Sequence, residues 1–369
     1  MIFDSRFRRN LDLTLIVITY VIAFFGVLVL WSATRGESSH FERKQIVGIF
    51  LGTIAMIGMA KLDYHHLARF AKNIYLFNLI LLLIVRFKGH DTNGSTRWIK
   101  IASFQFQPSE FAKLAAIITL ATFIVQRQET IREFKTVGLS LLYIAVPAFL
   151  ILKQPDLGTA LVVFAIWFGM LFMAGAQLKH LTAFFAMGAV IFCVGWQLGA
   201  VNDYQKNRLL AFWDSTADPK GAGYHVKQAR IAIGSGGVWG KGLAQSTQVR
   251  GGYIPEKQSD FVFTTVGEEF GFVGSIGLLA FYGGLLYRAV AIAASAEEDH
   301  FGQLLASGVI CMLGFHIIEN VGMNVGILPV AGVPLPMISA GNSNMIVTLA
   351  SIGLLLSVLR HRHQLLFRG

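Results

Sequence analysis

The sequence predicts an all-α, polytopic membrane protein with about ten transmembrane helices and one large extracytoplasmic loop. Of its 369 residues, 54% are hydrophobic and only 14% are charged, whereas soluble domains average about 25% charged residues. Apolar runs recur along the whole chain, and a helix needs about 20 mostly apolar residues to cross a bilayer. No low-complexity linker or internal repeat interrupts the pattern, so we expect a single membrane domain over residues 1–369.

Ten apolar segments are the predicted spans. They lie at residues 13–32, 46–60, 73–87, 109–126, 137–152, 157–175, 180–200, 262–294, 302–325 and 344–360. A charged segment precedes the first span and no small-residue cleavage site ends it, so we expect it to stay in the membrane as an anchor. The eighth span contains Glu268 and Glu269 and is predicted to be tilted or broken, because carboxylates are unfavourable in lipid.

The distribution of lysine and arginine predicts the orientation. More of them lie on the side of the N-terminus than in the short loops opposite, which favours cytoplasmic termini. The long loop, residues 201–260, then faces outward. The net charge of +10 is scattered between spans, so it indicates an anionic lipid or substrate and argues against nucleic acid. Cys193 and Cys311 lie in apolar runs and are interpreted as small core side chains.

Asp260 closes the long loop and stands at the mouth of the eighth span. Two interpretations are open. A carboxylate at this position can cap the following helix, because it accepts bonds from free backbone N–H groups. Alternatively, an ionisable group at the membrane surface has a functional role.

Three further polar tracts fall on the same side. Glu110 and Lys113 are three residues apart, so they share a helix face and can pair, either structurally or as part of a polar cavity. Asp156 follows Pro155 and is predicted to cap the span that begins there. Residues 208–237 combine an interfacial helix, glycine-rich turns and basic side chains. Such a surface can hold a lipid headgroup or a diphosphate, or it is simply a solvated loop.

The last tract, residues 332–344, is rich in glycine, proline and polar residues between apolar spans. Unwound backbone at membrane depth must be buried in protein or line a cavity. In the ninth span His316, Glu319, Asn320 and Asn324 recur at near-helical spacing, which places a polar stripe toward the bundle interior. Metal binding by His316 with Glu319 is a weaker alternative.

Four of these tracts together resemble the signature sequences of the shape, elongation, division and sporulation (SEDS) family. They are Gln107-Pro108-Ser109-Glu110-Phe111-Ala112-Lys113, Gln154-Pro155-Asp156-Leu157-Gly158-Thr159, residues 255–263 with Glu268-Glu269, and Gly332-Val333-Pro334-Leu335-Pro336. The Pro334-Leu335-Pro336 tract is most similar to the elongation branch. Two positions depart from the family pattern. Residues 339–344 read Ser-Ala-Gly-Asn-Ser-Asn where the family usually has Ser-Tyr-Gly-Gly-Ser-Ser, and Gln258 stands where histidine is frequent.

The resemblance implies ten helices and peptidoglycan glycosyltransferase activity. Such proteins polymerise lipid II at the outer face of the bacterial plasma membrane during cell elongation, with a class B penicillin-binding protein and other elongation-complex proteins as partners. Undecaprenyl diphosphate is the leaving group. Asp260 matches the essential acidic residue of the family, and Glu110 with Lys113 matches an important pair on the fourth helix.

From these residues we expect Asp260 to act as a general base. Supporting or cavity residues would be Glu110, Lys113, Gln154, Asp156 and Ser339. The candidates for holding the diphosphate or headgroup are Arg97, Arg208, Lys227 and Arg230, with Lys113 as a further cation. A divalent cation, Mg²⁺ or Mn²⁺, would assist them, although no metal ligand is assigned. The alternatives are a flippase for a polyprenyl-linked sugar and a non-catalytic scaffold for a penicillin-binding protein.

Overall fold

A computed structural model of the chain describes residues 12–35, 41–88, 90–92, 95–101, 104–199, 206, 208–210, 212 and 221–362. The helices are α1 (Leu13–Ala33), α2 (Phe41–Lys61), α3 (His65–Arg69), α4 (Ala71–Lys88), α5 (Pro108–Val125), α6 (Phe134–Leu152), α7 (Leu157–Met173), α8 (Leu178–Gln197), α9 (Ala222–Gly236), α10 (Val262–Ser295), α11 (His300–Val325) and α12 (Asn342–His361). All ten predicted spans coincide with long helices, and α3 and α9 are additional.

Eight helices in the described part are long and apolar enough to cross a membrane. The other two predicted spans are α7, which is apolar but has 17 residues, and α4, with 18 residues. The helical fold class is therefore confirmed. Much of the long loop, including 201–205 and 213–220, lies outside the described residues, as do the arginines that precede α1.

A small antiparallel sheet between α4 and α5 was not predicted. Its strands are β1 (His90–Thr92), β2 (Ser95–Ile101) and β3 (Phe104–Phe106), in the order β1-β2-β3. Ile99 pairs with Phe106 and Ile101 with Phe104. Residues 95–101 include Thr96, Trp98, Ile99 and Ile101, β-branched and aromatic types that are enriched in strands; the overall apolar composition masked this signal.

The core lies around α5, α11 and α12. In α12, 83% of the apolar window is buried inside the protein, against 11% in α8. Helix α8 is therefore peripheral, and Cys193 on it is exposed. The prediction that Cys193 is a core residue is wrong, because an apolar segment facing lipid has the same composition as one facing the core. Cys311, on α11, is partly buried.

Helix α10 is broken at Gly271, whose φ of 65° and ψ of −160° leave the helical region. The break exposes backbone groups that pair with the segment after α9. The amides of Phe272 and Val273 donate to the carbonyls of Gly237 and Val238 at 2.9 and 3.1 Å. A side chain at Gly271 would collide with the Gly240 amide at 2.3 Å. The predicted break is confirmed, and it attaches the end of the long loop to the bundle.

Candidate active site

The site lies at the end of the bundle that carries the long loop, which we call the loop end. Asp260 is the second residue before α10, and the N-cap position of α10 belongs to Phe261, where no side chain caps the helix. The capping interpretation of Asp260 is therefore wrong. The turn around Glu256 and Ser259 extends to Phe261 and moves the N-cap position one residue beyond the acid.

The backbone around Asp260 is held by residues distant in sequence. The carbonyl of Gln258 accepts from the Ala340 amide at 2.8 Å, and the carbonyl of Ser259 accepts from Ser339 Oγ at 2.6 Å. The carbonyl of Asp260 accepts from Asn320 Nδ2 and Asn324 Nδ2, each at 3.0 Å. Three successive carbonyls are thus fixed, which defines the position from which the Asp260 side chain projects.

Ser339 and the two asparagines therefore act on the backbone of the loop. Ser339 Oγ also accepts from the Leu335 amide at 2.8 Å. Ser339 was expected to line a cavity, but it links the loop before α10 to the loop before α12. Asn320 and Asn324 are fully buried. Sequence reasoning placed them on an inward polar stripe but did not connect them to Asp260, because nothing local relates residues about 60 positions apart.

Asp260 as a residue is half-buried, and its carboxyl group is closely surrounded by protein. This burial raises the pKa of Asp260 to about 6, with the cations Arg208 and Arg97 opposing the shift and the acids Glu256 and Asp156 adding to it. A carboxyl group with a pKa near neutrality is ionised at pH 7 and still a better proton acceptor than an ordinary aspartate.

Arg208 and Asp260 meet over Gly332. Gly332 has φ of +75°, and a Cβ atom there would lie 3.2 Å from Asp260 Oδ2 and 3.3 Å from Arg208 Nη1. Only glycine combines this left-handed backbone with room for both side chains. The loop after α11 therefore forms the floor under the acid and the arginine.

A basic cavity of about 310 Å³ adjoins this point. Three of the predicted headgroup cations, Arg208, Lys227 and Arg230, line it together. Its remaining wall is mostly apolar, formed by Phe212, Val226, Ile231, Gly326, Leu328, Pro329 and Val330. Arg208 Nη1 donates to the Val330 carbonyl at 3.4 Å. Cations beside an apolar wall suit an anionic group joined to a lipid chain.

The fourth predicted cation, Arg97, does not line this cavity. Its Nε donates to the Gln154 carbonyl at 3.0 Å, its Nη2 donates to the Pro155 carbonyl, and Nη1 lies 3.9 Å from Asp156 Oδ1. Arg97 thus attaches β2 to the turn before α7, although its charge still acts on Asp260. Gln154 is held on the other side, because its Nε2 donates to the Leu82 carbonyl at 3.0 Å.

Asp156 caps α7 as predicted. Its Oδ1 accepts from the Thr159 amide at 3.2 Å. Its Oδ2 accepts from Ser109 Oγ at 3.0 Å, Gln107 Nε2 at 3.1 Å and Thr159 Oγ1 at 3.0 Å. The carboxylate therefore joins the start of α5 to the start of α7.

The predicted pair of Glu110 and Lys113 is confirmed at 2.8 Å, and both side chains are buried. Lys113 Nζ also contacts His316 Nε2 at 2.9 Å, while His316 Nδ1 contacts the Pro334 carbonyl at 2.9 Å. A carbonyl only accepts, so Nδ1 carries the ring proton and Nε2 accepts from Lys113. Both ring nitrogens are thus engaged, and His316 is not available to bind a metal with Glu319.

Two buried acids in α10 organise the loop that leads to Asp260. Glu268 accepts from the amides of residues 247, 248 and 249 at 2.8, 2.9 and 3.1 Å and from Lys241 Nζ at 2.7 Å. Glu269 accepts from Ser32 Oγ and Ser246 Oγ. From the sequence, these acids predicted only that the eighth span is tilted or broken. The structure shows that they also hold the end of the long loop against the bundle.

A family model described as cell cycle protein, FtsW/RodA/SpoVE, matches residues 12–364. The chain belongs to this family. The resemblance to the SEDS family drawn from the four sequence tracts is thereby confirmed. The chain is a multi-pass membrane protein, in keeping with its family and its apolar helices.

Relatives from several bacteria match nearly the whole chain. Peptidoglycan glycosyltransferase MrdB of Escherichia coli K12 is 37% identical over 97% of this chain and 96% of its own length. Stage V sporulation protein E of Bacillus subtilis is 35% identical, over 96% and 98%. The probable peptidoglycan glycosyltransferase FtsW of Geobacter metallireducens is 34% identical, also over 96% and 98%.

Two solved structures share the fold. One is a chain in work described as structural coordination of polymerization and crosslinking by a peptidoglycan synthase complex, with a TM-score of 0.81 and 32% identity. The other is the rod shape determining protein RodA of Thermus thermophilus, with a TM-score of 0.70 and 30% identity. Each comparison covers 96% of this chain and 98% of the other.

Proposed function

We propose that this member of the FtsW/RodA/SpoVE family is a peptidoglycan glycosyltransferase that polymerises lipid II into glycan strands during cell elongation. The observation that carries the proposal is the junction over Gly332, where Asp260 and Arg208 meet at the edge of a basic cavity with an apolar wall. A transferase for a lipid diphosphate donor needs a proton acceptor next to a site for the leaving diphosphate. The names of the relatives MrdB and FtsW agree with this activity.

In the proposed reaction, a sugar hydroxyl of the acceptor attacks the anomeric carbon of the donor strand. Asp260 takes the hydroxyl proton while the new carbon–oxygen bond forms, and the bond from the anomeric carbon to the diphosphate oxygen breaks. Undecaprenyl diphosphate leaves with the bonding electrons. One displacement inverts the α-linked donor to a β-linked product, so no covalent enzyme intermediate is required. General base catalysis of this kind typically contributes about 10²–10⁴-fold.

The leaving diphosphate would occupy the basic cavity. Arg208, Lys227 and Arg230 would stabilise the charge that develops on it, because fixed cations in a site with little water act strongly on a forming anion. The apolar side chains opposite them would receive the first part of the prenyl chain. Arg97 would act indirectly, by holding the turn at Asp156 and by its charge on Asp260.

A divalent cation would be held here by a protein carboxylate together with the phosphates of the substrate. No group of three His, Cys, Asp or Glu side chains within the described part of the chain could hold a metal ion. Mg²⁺ often binds through one or two carboxylates, with substrate phosphates and water completing its shell. Asp260 could supply such a carboxylate beside the diphosphate, and the cation would neutralise developing charge. Every role given above to a side chain holds without it.

We further infer that the protein lies in the bacterial plasma membrane with both termini cytoplasmic and the loop end outside. A class B penicillin-binding protein is the proposed partner, together with other elongation-complex proteins. The solved peptidoglycan synthase complex whose chain shares this fold supports a partner that cross-links strands. The excess of lysine and arginine on the side of the N-terminus supports the orientation.

The decisive experiment measures glycan polymer made from lipid II by purified protein, with and without the cognate penicillin-binding protein. We expect Asp260→Asn and Asp260→Ala to lose at least about 100-fold in rate while remaining folded. Glu129→Gln, at an exposed acid beyond the far end of α5, is the matched control and should match the wild type.

Three outcomes would overturn the proposal. Polymerisation at near-normal rates by both Asp260 variants would exclude the general base. Absence of polymer from the wild type, together with lipid II translocation in vesicles, would identify a flippase. Absence of both, with unimpaired stimulation of the penicillin-binding protein, would identify a scaffold. The general base must be deprotonated to act. A polymerisation rate that rises with pH as one group with a pKa near 6 loses its proton would therefore further support Asp260 as this base.

A further inference from the structure

Glu319 is a buried acid on α11 to which the reaction above gives no role. Its side chain is 4% exposed. Oε1 accepts from the Ala331 amide at 3.1 Å and the Val333 backbone lies close to the carboxyl group, whereas Oε2 makes no hydrogen bond of good geometry with the residues that the structure describes. A buried carboxyl oxygen without a partner is unfavourable for stability. Stability alone would favour an apolar side chain here, which points to a role in the site.

Glu319 belongs to a set of three side chains on α11 that bind the backbone of residues 331–334. Asn320 Nδ2 donates to the Val333 carbonyl at 2.8 Å, and His316 Nδ1 contacts the Pro334 carbonyl at 2.9 Å. These two bind carbonyl groups, and Glu319 binds an amide. Three side chains of α11 therefore hold the backbone of residues 331–334 in place, and Glu319 binds the first residue of this segment.

The residue after Ala331 is Gly332, over which Asp260 and Arg208 meet. A Cβ atom on Gly332 would be 3.2 Å from Asp260 Oδ2 and 3.3 Å from Arg208 Nη1, so both side-chain ends lie against the open face of this glycine. A shift of Ala331 moves the surface that both groups pack against. Glu319 is also within electrostatic range of both Asp260 and Arg208.

We propose that Glu319 is a positioning residue for the transfer reaction: by binding Ala331 it fixes Gly332, and thereby sets Asp260 and Arg208 at the spacing that the reaction requires. The inference rests on the proposed function and extends it to a residue that touches neither substrate nor cavity. A misplacement of about 1 Å can lower a rate by about 100-fold, so one hydrogen bond has a large effect when it sets such a distance.

The test compares Glu319→Gln with Glu319→Leu. Glutamine keeps an oxygen that can accept from the Ala331 amide, and leucine has none. Ser307→Ala is the matched control, because Ser307 is buried on the same helix and, among the described residues, its hydroxyl bonds only to the Gln303 carbonyl. We expect Glu319→Leu to lower kcat at least tenfold with KM for lipid II within about twofold, and Glu319→Gln to stay within about threefold of wild type.

A second readout is independent of activity. Hydrogen exchange of the peptide spanning residues 328–335 should accelerate at least tenfold in Glu319→Leu and remain slow in Glu319→Gln and Ser307→Ala. Wild-type kcat in Glu319→Leu, or equal loss in the leucine and glutamine variants with unchanged exchange, would overturn the proposal. If the wild type makes no polymer, the proposed function fails, and unchanged exchange in Glu319→Leu would still refute the anchoring of Ala331 by itself.

Discussion

Two acids at opposite ends of the helix bundle are held in different ways. Asp299, before α11 at the end away from the loop, accepts from the Tyr64 hydroxyl and the Phe301 amide, and its Oδ2 lies 3.3 Å from His65 Nε2. Asp260 is fixed through its backbone carbonyl, so that its side chain projects toward Gly332 and Arg208.

The pKa values of the two acids differ accordingly. Burial tends to raise the pKa of Asp299, but the adjacent His65 ring and the hydrogen bond from Tyr64 outweigh it, and the pKa is lowered. At Asp260 burial prevails over the arginines, and the pKa rises to about 6. An acid whose carboxylate receives hydrogen bonds serves the fold, and an acid held by its main chain is available for proton transfer.

The largest expected effects come from neutralising each acid in turn, which tests whether Asp260 serves the reaction and Asp299 the fold. Asp260→Asn should lose at least about 100-fold in polymerisation rate and lose no thermal stability. Asp299→Asn should lose stability, because Tyr64 and His65 lose an ionised partner; truncation of a buried pair of this kind costs about 3–5 kcal/mol. Thermal unfolding in detergent and polymer assays on the same samples check both. An inactive but stable Asp299→Asn would contradict the division of roles.

A smaller effect is expected from the two asparagines that bind the Asp260 carbonyl, which we call the backbone clamp. Replacing Asn320 and Asn324 together by leucine removes both donors to the Asp260 carbonyl, and we expect about a 10–100-fold loss in kcat. The double variant Thr348→Val and Ser351→Ala is the control, because these buried hydroxyl groups donate to Asn344 and Val347 of the same helix, α12. Normal activity in the leucine variant would show that the clamp does not position the acid.

Gly332→Ala tests the contact between the acid and the arginine. The new methyl group meets Asp260 Oδ2 and Arg208 Nη1 and places alanine in a left-handed conformation, which typically costs about 1 kcal/mol. We expect about a tenfold loss in rate and a modest loss in stability. Gly175→Ala has a similar φ of +82° and no atom near its Cβ position, so it should reproduce the stability change and retain activity.

The last expected effect leaves the rate aside and concerns how stability depends on pH. The folded pKa of Asp260 is above its ordinary value, so its contribution is fully present below about pH 4 and is lost as the pH rises through about 6. Asp260→Asn should therefore stabilise the protein at pH 8 by up to about 3 kcal/mol relative to pH 4. Asp299 has a lowered pKa, so its contribution is present above about pH 4 and lost at lower pH. Denaturation at several pH values checks that the two trends are opposite.

Sequence reasoning succeeded where the physical cause is local. The spans follow from runs of apolar residues, and the pair of Glu110 and Lys113 follows from their spacing on one helix. The cap at Asp156 follows from Pro155 and the apolar run after it. The break in α10 was expected because two acids interrupt an apolar span.

It failed where residues remote in sequence decide the outcome. Arg97 and Arg208 were equal candidates as cations, yet one holds a turn and the other lines the cavity. Asp260 was read equally well as a cap, until the turn before α10 placed the helix start one residue later. The exposure of Cys193 was also missed, because composition does not distinguish a helix that faces lipid from one that faces the core. The short strands β1–β3 were missed as well.

The sequence by itself determined the class, the spans and the family, and it named the acid at the mouth of α10. Each depends on composition, on helical spacing or on short tracts that stand in the chain as written. Only the tertiary structure decided which cations surround that acid, what holds it and how far its pKa moves. Those properties depend on burial and on distances of a few ångströms between segments such as residues 260 and 332, and folding alone brings such segments together.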